Sequence, residues 1–105
     1  MRKVVLSTNG VSSSSVYPVN VNATPFNIGL GLVVTGTVNC TVQHTFDDVF
    51  APTFNPGTAT WFSHATITGA TSNVDGNYAF PVTGIRLLQN SGSGSAVLNV
   101  IQAGI

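Results

Sequence analysis

Residues 28–46 alternate. Ile28, Leu30, Leu32, Val34, Gly36, Val38, Cys40, Val42, His44 and Phe46 hold one parity, almost all apolar. Gly29, Gly31, Val33, Thr35, Thr37, Asn39, Thr41, Gln43 and Thr45 hold the other, mostly small or polar. A period of two is the mark of a half-buried strand, because successive side chains point to opposite faces. A straight strand of this length would span roughly 60 Å at about 3.3 Å per residue. A domain of this size has a radius of gyration of about 13 Å. The ribbon must therefore fold back or bend, and Thr35, Gly36 and Thr37 are where a hairpin turn or bulge is expected. Residues 38–46 are expected to be the central strand of the core.

The rest of the chain punctuates in the same way. Val4 and Leu6 on one parity and Val5 on the other read as a first strand over residues 2–8, closed by the Asn9-Gly10 turn. Ser12 to Ser15 read as a polar link. Residues 16–21 read as an edge strand, since Pro18 cannot donate to a ladder, with a turn over residues 22–25. Residues 47–60 carry Pro52, Pro56 and Gly57 and no helical period, so they read as a long ordered loop of functional or interfacial kind. Its aromatics are expected either to tuck under the sheet or to form a contact patch. Residues 61–68 read as a strand with Trp61, Ser63, Ala65 and Ile67 on one face. Asp75-Gly76 reads as a hairpin turn, followed by an edge strand with Tyr78, Phe80 and Val82 alternating. Residues 84–90 are a strand with Ile85 and Leu87 inward and Leu88 outward. Residues 91–95 are a Gly/Ser hairpin loop before a last strand over residues 96–102. Seven or eight short strands separated by turns imply an all-β fold in one domain, an antiparallel β-sandwich or jelly-roll-like domain.

Charge is scarce. Ionisable Asp, Glu, Lys and Arg make up 6% of 105 residues, against the ~25% usual in soluble proteins. Arg2, Lys3, Asp47, Asp48, Asp75 and Arg86 are the complete set, and the net charge is zero. A balance of zero speaks against nucleic-acid binding, which needs a basic stripe to neutralise phosphates. Charged side chains also keep monomers apart and blunt exposed sheet edges. Their scarcity fits either a hardy domain with a Ser/Thr surface or a surface covered by copies of itself or by another protein. Only Val4, Val5 and Leu6 follow the basic start before the chain turns polar, too few for a secretory leader. No window approaches the ~20 apolar residues that cross a bilayer. Synthesis and folding in a cytoplasm, with no membrane partner, are the expectation.

Chemistry-bearing groups are few. Cys40 is the single cysteine, so no internal disulfide forms, and its place on the apolar face makes it a structural thiol. His44 reads as a core histidine with a satisfied hydrogen bond. His44, Asp47, Asp48 and His64 suit a divalent ion by type, but their spacing is not diagnostic. Asp47 and Asp48 read more simply as caps on their own loop's amides. No Gly-x-Ser-x-Gly elbow and no Gly-rich loop before a helix occurs. No carboxylate pair sits in apolar surroundings that would separate two pKa values. No catalytic residue, cofactor or metal site is expected. Arg86, the isolated cation in the body of the chain, is expected to pair with Asp47, Asp48 or Asp75.

The run VQHTFDDVFAPTFNPGTATWFSH (residues 42–64) resembles small proteins from the structural gene clusters of tailed bacteriophages. So do DGNYAFPV (75–82) and the ending from GIRL through VIQAG (84–104), and together they span about the last two-thirds of the chain. The resemblance implies a virion component, a head decoration or cement protein. Such proteins are small β-domains that trimerise and clamp neighbouring major capsid subunits, after assembly in the host cytoplasm. A tail or fibre piece binding a carbohydrate or receptor is the alternative. An exposed Trp61 or Tyr78 beside Asp75 and Asn77 would favour it. The expected contact surface is the 47–60 loop, with Asp47, Asp48, Phe50 and Phe54, together with Trp61 and Arg86. The N-terminal strand carrying Arg2 and Lys3 is the second choice, as a strand to be added to a neighbour's sheet edge.

Overall fold

The computed structural model describes residues 3–19 and 27–102. The expectations for Arg2, for residues 20–26 and for the end of the VIQAG run lie outside the described residues. Nine strands and no helix occur among those described: β1 (Val4–Asn9), β2 (Ser12–Ser13), β3 (Tyr17–Pro18), β4 (Ile28–Thr35), β5 (Asn39–Thr45), β6 (Phe62–Ser63), β7 (Val74–Tyr78), β8 (Gly84–Ser91) and β9 (Ser95–Gln102).

The pairings are nested and all antiparallel. β1 pairs β9, β2 and β3 pair β8, β4 pairs β7, and β5 pairs β6. The chain is thus one long two-stranded ribbon with residues 46–61 at its tip. Rolling the ribbon brings β4 against β9 and β5 against β8. Two sheets result, ordered β1-β9-β4-β7 and β2-β8-β5-β6, with β3 continuing alongside β8. A ribbon rolled into two facing sheets is a jelly roll. Inward residues of both sheets form the core, among them Ile28, Leu30, Leu32, Val42, Leu87 and Leu98.

The ribbon at residues 28–46 bends rather than forming a hairpin. β4 and β5 lie in different sheets, and Gly36, with φ of +79°, turns the corner between them. Residues 92–94 make the matching corner between β8 and β9, so the expected hairpin there is also a crossing between sheets. The two corners stack, with the Gly94 amide donating to Thr37 O at 2.9 Å. A Cβ on Gly92 or Gly94 would overlap the backbone of residues 35–38, which explains the Gly/Ser composition.

Five other expectations are corrected. Ser12 and Ser13 form an edge strand rather than a free link, and both are exposed, so no apolar pattern marked them. Ser14 Oγ then accepts from Leu87 N at 2.9 Å, and among the described residues of the strand expected next, 16–19, only Tyr17 and Pro18 are strand. The strand expected over 61–68 is reduced to Phe62–Ser63. His64 Nδ1 accepts the amides of Thr66 and Ile67 at 3.1 and 3.2 Å and curls the chain, a side chain competing with the ladder for backbone donors. Asp75-Gly76 is not a turn but the middle of β7, paired with Gly31 and Leu30. Glycine is required there because a Cβ would lie 2.8 Å from His64 Cε1. β7 ends at Tyr78, and residues 79–83 form no strand.

Candidate partner-contact surface

At the end of the sandwich where β5 runs out, Asp47 and Asp48 spend their carboxylates on the loop itself. Asp47 Oδ2 accepts Thr60 N at 3.0 Å and ties the loop's two ends together. Asp48 Oδ1 accepts Phe50 N at 3.0 Å. Trp61 Nε1 donates to Pro56 O at 2.9 Å, and Thr83 Oγ1 donates to Asp47 O at 2.5 Å. Charge-assisted bonds of this kind give a loop without regular structure a defined shape.

The loop's two aromatics border one groove and differ in burial. Phe54 is half-buried and lines a mostly apolar groove with Val16, Pro18, Val49, Phe50 and Pro56. Phe50 is 74% exposed, held out by the cap on its own amide.

Arg86 does not pair with Asp47, Asp48 or Asp75. Its guanidinium carbon lies 4.1 Å from the centroid of the Trp61 ring, and its Nε donates to Gln43 Oε1 at 2.8 Å. The half-buried Trp61 therefore has one face covered by Arg86. A cation over an indole face contributes about 0.5–1 kcal/mol at an exposed site. Lys3 is exposed, directly ahead of β1.

A second apolar surface went unnoticed in the sequence. Phe46, Phe62 and Phe80 are 53, 47 and 48% exposed and ring the buried His44, with centroids 5.4, 5.8 and 5.5 Å from its imidazole. The signal was parity. Phe46 follows His44 by two and Phe80 follows Tyr78 by two, so each continues the inward face of its strand past the point where the opposite sheet covers it. Phe62 enters by register, as the partner of His44 across β5 and β6.

Beneath these rings lie the two histidines. His44 Nδ1 and the Tyr78 hydroxyl are hydrogen-bonded at 2.7 Å, the satisfied core histidine expected. Burial, and secondarily the nearness of His64, hold the His44 pKa below its ordinary value. Burial pushes the Tyr78 phenol up. His64 Nε2 donates to Asn77 O at 2.8 Å and so joins β6 to β7 where the sandwich would otherwise gape. Both imidazoles pack edge-on to Tyr78, at 4.8 Å each. Among the described residues no carboxylate is a hydrogen-bond partner of either. Among the described residues no three His, Cys, Asp or Glu side chains come close enough to hold a metal ion. This arrangement closes an edge and presents aromatic surface.

Comparison of the chain with protein-family models, with curated proteins and with solved structures finds no match to any of them.

Proposed function

We propose that this protein is a structural, non-enzymatic component of a tailed-phage particle, a head decoration or cement protein. It binds the major capsid protein and bridges neighbouring subunits, in the trimer that the sequence resemblance implies. The observation that carries the reading is exposed aromatic surface in two places, on the loop at the tip of the ribbon and around His44. Phe50 stands out from the braced loop, and Phe46, Phe62 and Phe80 stand out as a separate cluster on the His44 ring. Contiguous apolar surface with a polar margin marks interaction sites on soluble proteins. A chain with so few charges has little else with which to keep such a surface apart from neighbours. Jelly rolls recur in viral shells and in lectins, so the fold agrees with the reading by analogy only.

The mechanism is mechanical. A protein that binds only the assembled lattice stabilises that lattice by mass action. Bridging several subunits at once multiplies weak contacts. The receptor-binding alternative is not favoured, because Tyr78 is buried and Arg86 covers one face of Trp61.

The test is to mix purified protein with heads that lack it and to image them. Ordered density at repeating lattice positions is expected. Phe50→Ala is expected to lower occupancy at least tenfold at limiting protein, with an unchanged melting temperature. Heads that stay bare at saturating wild-type protein would rule the reading out.

A further inference from the structure

We infer that the outer face of the β1-β9-β4-β7 sheet is a self-complementary surface on which a second copy of this chain packs, face to face about a two-fold axis. The inference starts from two glycines that the single subunit does not need. Gly29 and Gly31 lie inside β4, in unbroken register with β9 on one side and β7 on the other, so neither marks a bulge. Neither has positive φ. A Cβ on Gly31 would meet nothing within 4 Å, and one on Gly29 would meet only Ile101 O at 3.8 Å. Gly76, Gly84, Gly92 and Gly94 differ, since a Cβ on each would collide with a named neighbour.

Glycine inside a strand costs about 0.5–1 kcal/mol relative to alanine. Close approach of another surface is a setting in which strands keep glycine, and here the Asn99 side chain of the same subunit reaches Gly31 O at 3.4 Å. Both glycines point outward, alternating with the buried Ile28, Leu30 and Leu32. Gly31 lies in a depression lined also by Val33, Asp75 and Asn99 among others.

The face around that strip fits a copy of itself. Its rows run Val5, Asn99, Gly31, Asp75, then Ile101, Gly29, Asn77, with Val97 opposite Val33. Val5, Val33 and Ile101 are each about half exposed. A two-fold axis parallel to the strands, passing between β9 and β4, places β9 of one copy over β4 of the other. Ile101 then stands over Gly29 and Asn99 over Gly31, once in each direction. The same operation lays the β1 margin, with Lys3, over the β7 margin, with Asp75. Among the described residues Lys3 and Asp75 are the charged side chains on this face, and they have opposite sign. This contact is isologous and joins copies in pairs. It is separate from the trimer implied above, and it does not rest on capsid binding.

Sedimentation of the full chain at tens of micromolar tests the inference. Wild type is expected to sediment at an even multiple of the subunit mass. Gly31→Val is expected to halve that mass and to weaken pairing at least tenfold, while melting at or above the wild-type temperature. Lys3→Asp and Asp75→Lys are each expected to weaken pairing, and the double exchange to restore it. A wild-type monomer, or a mass unmoved by Gly31→Val, overturns the inference. So does Gly31→Val abolishing binding to heads while the wild type is monomeric, because the capsid would then be what covers this face.

Discussion

Gln89 on β8 accepts a hydrogen bond from the Thr8 hydroxyl on β1, 2.9 Å away across the gap between the two sheets. The Gln89 amide nitrogen then donates to Gly92 O and Gly94 O at 3.0 and 3.1 Å, inside the corner that leads from one sheet to the other. Gln89 is fully buried, and every polar atom of its side chain has work. Gln89→Leu keeps the volume but takes the acceptor from the Thr8 hydroxyl and the donor from Gly92 O, while Gly94 O keeps the Gly10 amide. Each buried group left without a partner costs about 1–3 kcal/mol. A loss of about 2–4 kcal/mol is expected, read as a lower urea midpoint at unchanged slope. A loss under about 0.5 kcal/mol would mean that the corner holds without this side chain.

Acid should weaken the fold through His44. Burial first, and the nearness of His64 second, lower its pKa in the folded state. Between that lowered value and the ordinary 6.5, the unfolded chain binds more protons than the folded one. Stability then rises with pH in this window, and the His44 contribution is lost as pH falls below about 6.5. The melting temperature is expected to drop between pH 7 and pH 5, and His44→Phe is expected to flatten that drop. An identical slope in the variant would assign the acid sensitivity elsewhere.

The thiol of Cys40 should be inert. It is fully buried, and burial raises its pKa, with a hydrogen bond to Thr8 acting in the other direction. Reactivity follows the exposed thiolate. No labelling by a disulfide reagent is expected under native conditions, and one equivalent after unfolding in denaturant. Rapid labelling of the folded protein would show that the β4–β5 corner opens.

Much of this architecture was legible because burial imposes a period. The alternation from Ile28 to Phe46 marked two interior strands, and Ile85 and Leu87 marked a third. What the period cannot encode is which sheet a strand joins. Gly36 reads equally as a hairpin or as a corner, and only the nested pairing of β4 with β7 decides it. Edge strands such as Ser12–Ser13 bury neither face, so they leave no pattern. At Asp75-Gly76 local turn chemistry pointed the wrong way, because the glycine answers to the His64 ring, a partner distant in sequence. The geometry of the candidate surface was half legible. The loop announced itself through its prolines and lost periodicity, but Arg86 found an indole face in place of a carboxylate. Phe62 could be placed beside His44 only through register.

Phe54 and Phe80 separate the two apolar surfaces by experiment. Phe54 lines the groove against Val16 and Pro18, on the side of the loop that faces the sandwich. Phe80 packs on His44 and Tyr78 at 5.5 Å from each and leaves half its surface to solvent. Truncating a half-buried ring removes part of the roughly 1.5–3 kcal/mol that full burial contributes, so each alanine variant is expected to lose about 1–2 kcal/mol of stability. Their effect on particle binding should exceed that loss, because an interface with a shell buries the exposed half as well. A urea melt and a capsid pull-down on the same two variants decide the matter. Binding that falls only in step with unfolding for Phe54→Ala would make it a core residue of the loop. The same outcome for Phe80→Ala would confine the contact surface to Phe50 and its neighbours.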